Sequence, residues 1–150
     1  MIDGIVQRGY IYSLTAKTGH GKTAVGMYAG QAVARALKFH SYATKQGSVL
    51  YLAGENPQDV RARYIALADH NSFDPEAIPF HFIDGVISIE ACLPRIEAEA
   101  EKIPNLALVI VDTAAAYFPG DDGNNNVQRA SYRRRERVTA SRRVATLHWR

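Results

Sequence analysis

Cysteine is almost absent: Cys92 is the single one in 150 residues, so no disulfide framework is open to this chain. A lone thiol of this kind reads as a small buried apolar residue. Long apolar runs are missing as well. Nothing approaches the roughly 20 consecutive apolar residues that cross a bilayer, and the opening Met1-Ile2-Asp3-Gly4 lacks the charged-then-apolar order of a secretion signal. The expectation is a soluble, cytoplasmic chain with no membrane partner. His40, His70 and His81 have no second ligand at metal spacing, which argues against a zinc centre. No internal repeat is present. Positive charge is scarce through most of the length: residues 1–128 carry 10 Lys and Arg against 14 Asp and Glu, whereas residues 129–150 carry eight Arg against Glu136 alone. The net charge of +3 therefore combines an acidic body with a basic end.

What is there has ordinary globular proportions, 47% apolar and 22% charged, at the length of one domain. Residues 10–23, YIYSLTAKTGHGKT, organise the rest. A short apolar run leads into a glycine-bearing turn closed by Gly21-Lys22-Thr23, and a helix-like pattern follows. That order suits a phosphate-binding P-loop, in which backbone N–H groups and the positive end of a helix dipole converge on an anion. The loop would be Ala16, Lys17, Thr18, Gly19, His20, Gly21, Lys22 and Thr23, with Lys22 on the β and γ phosphates and Thr23 on Mg²⁺. Ala16 stands where the pattern GxxxxGK[ST] has its first glycine, a change of small cost if its φ is negative. His20 fills the variable position. The plainer alternative is a glycine-rich turn that happens to end in Lys-Thr, and the strand before it and helix after it argue against that.

Strand and helix signals alternate along the chain, the pattern of a parallel α/β sheet. Strands are expected at Tyr10 to Thr15, Val49 to Ala53, Phe80 to Ile83 and Leu106 to Val111. Helices are expected at Thr23 to Leu37, from Pro57 to about Asp69 behind an Asn56 cap, and at Ser88 to Lys102 behind a serine cap. Residues 1–9 give no signal. Asp59, Arg61 and Arg63 read as a solvated helix face.

Leu106 to Val111 is the most hydrophobic run, and it ends at Asp112. Four apolar residues and then Asp on a buried strand is the Walker B pattern. Beside a P-loop, such a carboxylate would hold Mg²⁺, which takes only one or two protein carboxylates. A plain strand-end Asp is the alternative. Glu55 follows the second strand in YLAGEN, and ligands of open parallel sheets bind outside the carboxyl ends of the strands. Lys22, Glu55 and Asp112 would therefore emerge at one edge, where Glu55 could polarise a water. Its competing reading is a carboxylate favoured at the next helix's N-terminus.

AKTGHGKT, VLYLAGEN and LALVIVDT together resemble the RecA-like P-loop ATPases, in particular the RepA/DnaB-type replicative helicase ATPase domains of plasmids and phages, over residues 10 to about 128. The resemblance implies an α/β, three-layer, mostly parallel RecA-like sheet binding ATP with Mg²⁺. It implies Glu55 as the base orienting water, with Lys22 on the phosphates, and Thr23 and Asp112 on the metal. It also implies a homo-oligomeric ring or filament, with single-stranded DNA as a partner.

In that family a further strand inserts between the P-loop and Walker B strands and carries a polar sensor. The only candidate is Val144 to Trp149, which would make His148 the sensor. The preceding SYRRRERVTASRR has a poor apolar stripe, so the expected organisation is a partial RecA-like core over 1–128 and a basic segment over 129–150. A truncated or frame-shifted C-terminal part is the expectation, and without the fifth strand the sheet would have a central gap. Residues 113–126 read as a loop. The arginines of 129–143 read as a solvated basic helix or, alternatively, a nucleic-acid footprint, with Tyr132 and Trp149 able to stack bases. An ATP-hydrolysing motor is the leading function. A non-catalytic nucleotide-binding module and a small-molecule P-loop kinase are the alternatives.

Overall fold

The structure, a computed structural model, describes residues 1–54, 56–85, 89–112 and 145–149, with residues 89–93 and 145–149 as backbone only. The elements in chain order are β1 (Ile11–Leu14), α1 (Lys22–Arg35), β2 (Ser48–Ala53), α2 (Pro57–His70), β3 (Phe80–Asp84), α3 (Ile89–Lys102), β4 (Leu106–Asp112) and β5 (Ala145–Trp149). The five strands form one sheet in the order β1-β5-β4-β2-β3, and every pairing is parallel.

Side chains of β2 and β4 alternate between two apolar faces, so both strands are continuous hydrophobic runs rather than alternating ones. On one face Val49, Tyr51, Leu108 and Ile110 pack with Met27 and Val33 of α1 and with Val60 and Tyr64 of α2. On the other Leu50, Leu52 and Val111 pack with Ile96 and Ala100 of α3. The result is the three-layer RecA-like α/β arrangement expected from the sequence. Helix α1 comes close to the sheet because its buried face is built from small residues. At Gly30 an added Cβ would lie 2.6 Å from Phe80 Cε2 and 3.1 Å from Ile110 Cδ1. Proline opens α2, and the Asn56 side chain caps it by accepting from the Asp59 N–H at 3.3 Å.

Two features depart from expectation. Residues 1–9, which gave no signal, belong to the core: Met1, Ile2 and Val6 are buried, and Ile2 bridges both Val6 and Thr44. The segment is too short for any periodicity to show. The centre of the sheet has no gap either. β5 lies between β1 and β4, with Thr146 opposite both Ile11 and Val109. A poor apolar stripe in the residues before it said nothing about the strand itself. Ser88, the Cys92 side chain, residues 113–126, for which a loop was expected, and the basic run 129–143 lie outside the described residues.

Candidate nucleotide-binding site

β1 ends at Leu14 and the chain turns through residues 15–21 into α1. Gly19 and Gly21 take φ of 83° and 78°, with nothing within 4 Å of a Cβ built on either. Glycine is needed there for backbone conformation, not for space. Ala16 is not among the residues of positive φ, so a methyl group in place of the first glycine introduces no backbone strain. The His20 N–H donates to the Lys17 carbonyl at 3.2 Å, closing the turn. Gly21 is the N-cap of α1 and makes no side-chain cap, which leaves N–H groups of the first turn facing the loop. The Lys22 ammonium folds back over the loop, donating to the carbonyls of Ala16 at 2.6 Å and Lys17 at 3.1 Å.

Asp112 reaches the same place from the carboxyl end of β4. It is only 3% exposed. Its Oδ2 accepts from the Thr23 hydroxyl at 2.8 Å and from the Tyr51 hydroxyl at 2.5 Å. The Gly54 N–H donates to the Asp112 carbonyl at 2.8 Å, so β2 leaves the sheet beside the end of β4. Glu55 follows at once and lies outside the described residues.

These groups share a cavity of about 340 Å³ lined by Thr18, Gly19, Gly21, Lys22, Thr23 and Asp112 together with Asn56, Asp59, Val60 and Arg63 of the α2 end. Arg63 Nε donates to Asp59 Oδ2 at 2.6 Å. That hydrogen bond first, then the charge of Asp59 and more weakly that of Asp112, holds the guanidinium above its ordinary pKa. Asp59 and Arg63, read from the sequence as a solvated face, are thus half-exposed and also line the cavity. Arg61 points elsewhere, pairing with Asp84 at 2.7 Å. A larger hollow of about 700 Å³ lies against β3, lined by Arg61, Tyr64, His81 and Lys102 among others, away from the glycine loop.

The sequence profile of the AAA domain matches residues 1–148. The chain belongs to the AAA domain family. Among curated proteins no match is found. An AAA domain with a glycine loop, Lys22 and a buried strand-end carboxylate is a nucleotide-binding domain of the P-loop ATPase type. Among the described residues no helix of this AAA domain is long and apolar enough to cross a membrane.

The donor set suits a hard cation carried in with phosphates. Asp112 is a buried carboxylate whose described partners are two hydroxyls and no cationic side chain. An ionised carboxylate only accepts, so both hydroxyls donate to it. The Thr23 oxygen then has only lone pairs left to offer. Among the described residues no three His, Cys, Asp or Glu side chains come together.

The sequence carries one signal for Tyr51. It is the polar-tipped residue in the apolar run SVLYLA, and a buried tyrosine hydroxyl usually finds a partner.

Proposed function

We propose that this AAA domain hydrolyses ATP as the motor of a DNA helicase or DNA-replication protein of the RepA/DnaB type. The observation that carries the reading is the 2.8 Å hydrogen bond from Thr23 to Asp112, which joins the P-loop and the Walker B strand across 89 residues of sequence beside the Lys22 ammonium. In this reading Lys22 leaves the Ala16 and Lys17 carbonyls for the β and γ phosphates, and the loop N–H groups bind the remaining phosphate oxygens. Thr23 and Asp112 would hold Mg²⁺, which when bound would supply charge neutralisation for the phosphates. Glu55, next in sequence after Gly54, whose N–H donates to the Asp112 carbonyl, would orient the attacking water. Residues of positioning and charge, with no covalent intermediate, suffice for this chemistry.

RecA-like motors place such sites between subunits, so a homo-oligomer and single-stranded DNA are the partners proposed. The ATPase core would take in β5 as well as the elements before residue 128, with the basic run 129–143 preceding that strand in sequence. ATP turnover measured with and without single-stranded DNA tests the motor. Stimulation supports it, whereas tight ATP binding with no turnover would make the chain a non-catalytic module. Glu55→Gln should keep ATP binding and lose hydrolysis; equal turnover by that variant would remove Glu55 from the chemistry.

A further inference from the structure

Asp112 and Tyr51 stand on neighbouring strands but not opposite each other. The register pairs Tyr51 with Ile110 and Ala53 with Asp112. Side chains two apart on a strand share a face, so Tyr51, Ala53, Ile110 and Asp112 all project toward α1 and α2. Tyr51 therefore meets Asp112 diagonally, across the small side chain of Ala53, and the length of the phenol spans the gap. The ring is fully buried and fixed by other rings: Phe80 and Phe82 have centroids 6.1 and 5.6 Å away. Its hydroxyl is thus a donor at a set position inside the sheet, and it donates to the same Oδ2 that receives the Thr23 proton.

We infer that Tyr51 is the positioning residue of the metal site: its hydroxyl fixes the Asp112 carboxylate so that Oδ2 takes the Thr23 proton and the Thr23 oxygen faces the cation. This rests on the proposed Mg²⁺·ATP site. A carboxylate on a single bond can rotate, and Thr23 alone can be satisfied with the carboxylate turned either way. Two donors on one oxygen hold it to one orientation. Hydroxyl and carboxylate groups one shell removed from a metal commonly change its affinity about 10–100-fold when deleted.

The test removes only the phenolic oxygen. In Tyr51→Phe the ring and its neighbours stay, and binding of a fluorescent ATP analogue in EDTA should match wild type within about two-fold. The Mg²⁺ concentration that half-saturates the metal-dependent increase in analogue affinity should rise about ten-fold. Tyr51→Met, which also fills the space without a hydroxyl, should show the same shift, so the result does not depend on one variant folding. In an Asp112→Asn background Tyr51→Phe should change the Mg²⁺ half-saturation no further, as it must if Tyr51 acts through that carboxylate. An unchanged Mg²⁺ half-saturation in both variants, with wild type responding normally to Mg²⁺, would overturn the role of Tyr51 and leave the site standing. A wild-type chain with no Mg²⁺ response would overturn both.

Discussion

Asp112→Asn should make the ligand-free chain more stable while weakening its site. The wild-type carboxylate is 3% exposed, and taking such an ion out of water costs several kcal/mol after relaxation, here about 4. The amide relieves that cost. It keeps an oxygen that can accept from Thr23 and Tyr51, but each bond falls from about 1.5–3 kcal/mol for a charged acceptor to about 0.5–1.5 for a neutral one. The two bonds together lose about 2–3 kcal/mol. Thr23 is the second residue of α1, and the carboxylate's favourable place near that helix N-terminus contributes about 0.5 kcal/mol more to the loss. The balance is a gain of about 1 kcal/mol, or about 2–4 °C in melting temperature for a chain of this size. With Mg²⁺·ATP at about 100 times its wild-type dissociation constant, wild type gains about 2.7 kcal/mol. The variant gains less, so the order of the two melts reverses. Calorimetric melts with and without Mg²⁺·ATP read both signs. A ligand-free Asp112→Asn chain that melts below wild type, or an order that does not reverse on adding Mg²⁺·ATP, would refute this reasoning.

Gly30→Ala should destabilise the chain although alanine is the better helix former. The helix gains about 0.5–1 kcal/mol, but the new methyl lies 2.6 Å from a Phe80 ring held against Tyr51, Tyr64 and Phe82. Overpacking of this kind costs about 1–3 kcal/mol, so a melt lowered by about 2–4 °C is expected. Burial raises the Tyr64 phenol pKa above its ordinary 10.0. The folded state therefore favours the neutral phenol, and that contribution is whole below pH 10 and declines as pH rises further. Denaturant melts between pH 9 and 11 should show a loss that Tyr64→Phe reduces.

Much of the site was legible because its chemistry is local in sequence. Gly21-Lys22-Thr23 sits between a strand and a helix, and the strand LALVIVD announces its own terminal carboxylate. The Asn56-Pro57 start of α2 could be read because a cap and a proline act on their immediate neighbours. What escaped depends on distant pairs. Tyr51 looks like one more β-former until the register shows Asp112 two residues along the next strand. Asp59 and Arg63 look like any solvated pair until α2 is seen to bring them to the glycine loop. Met1 and Ile2 are held by strand-like pairing with residues 44 and 45, such as Lys45 N–H to the Met1 carbonyl at 2.8 Å, and Val6 by bonds to Ile2. No local pattern encodes such contacts. β5 was half-legible: the resemblance named residues 144–149 as the candidate strand between the P-loop and Walker B strands, but no local pattern secured it, because its place is set by pairing with β1 and β4.

The most direct test of the central claim is release of inorganic phosphate from ATP by the purified chain, in Mg²⁺ and in EDTA, beside its Lys22→Ala variant. The account predicts phosphate release that requires Mg²⁺, and loss of both ATP binding and release when Lys22 is removed. Release that persists in EDTA or in Lys22→Ala, or ATP that binds and stays intact in the wild-type chain with Mg²⁺, would contradict it.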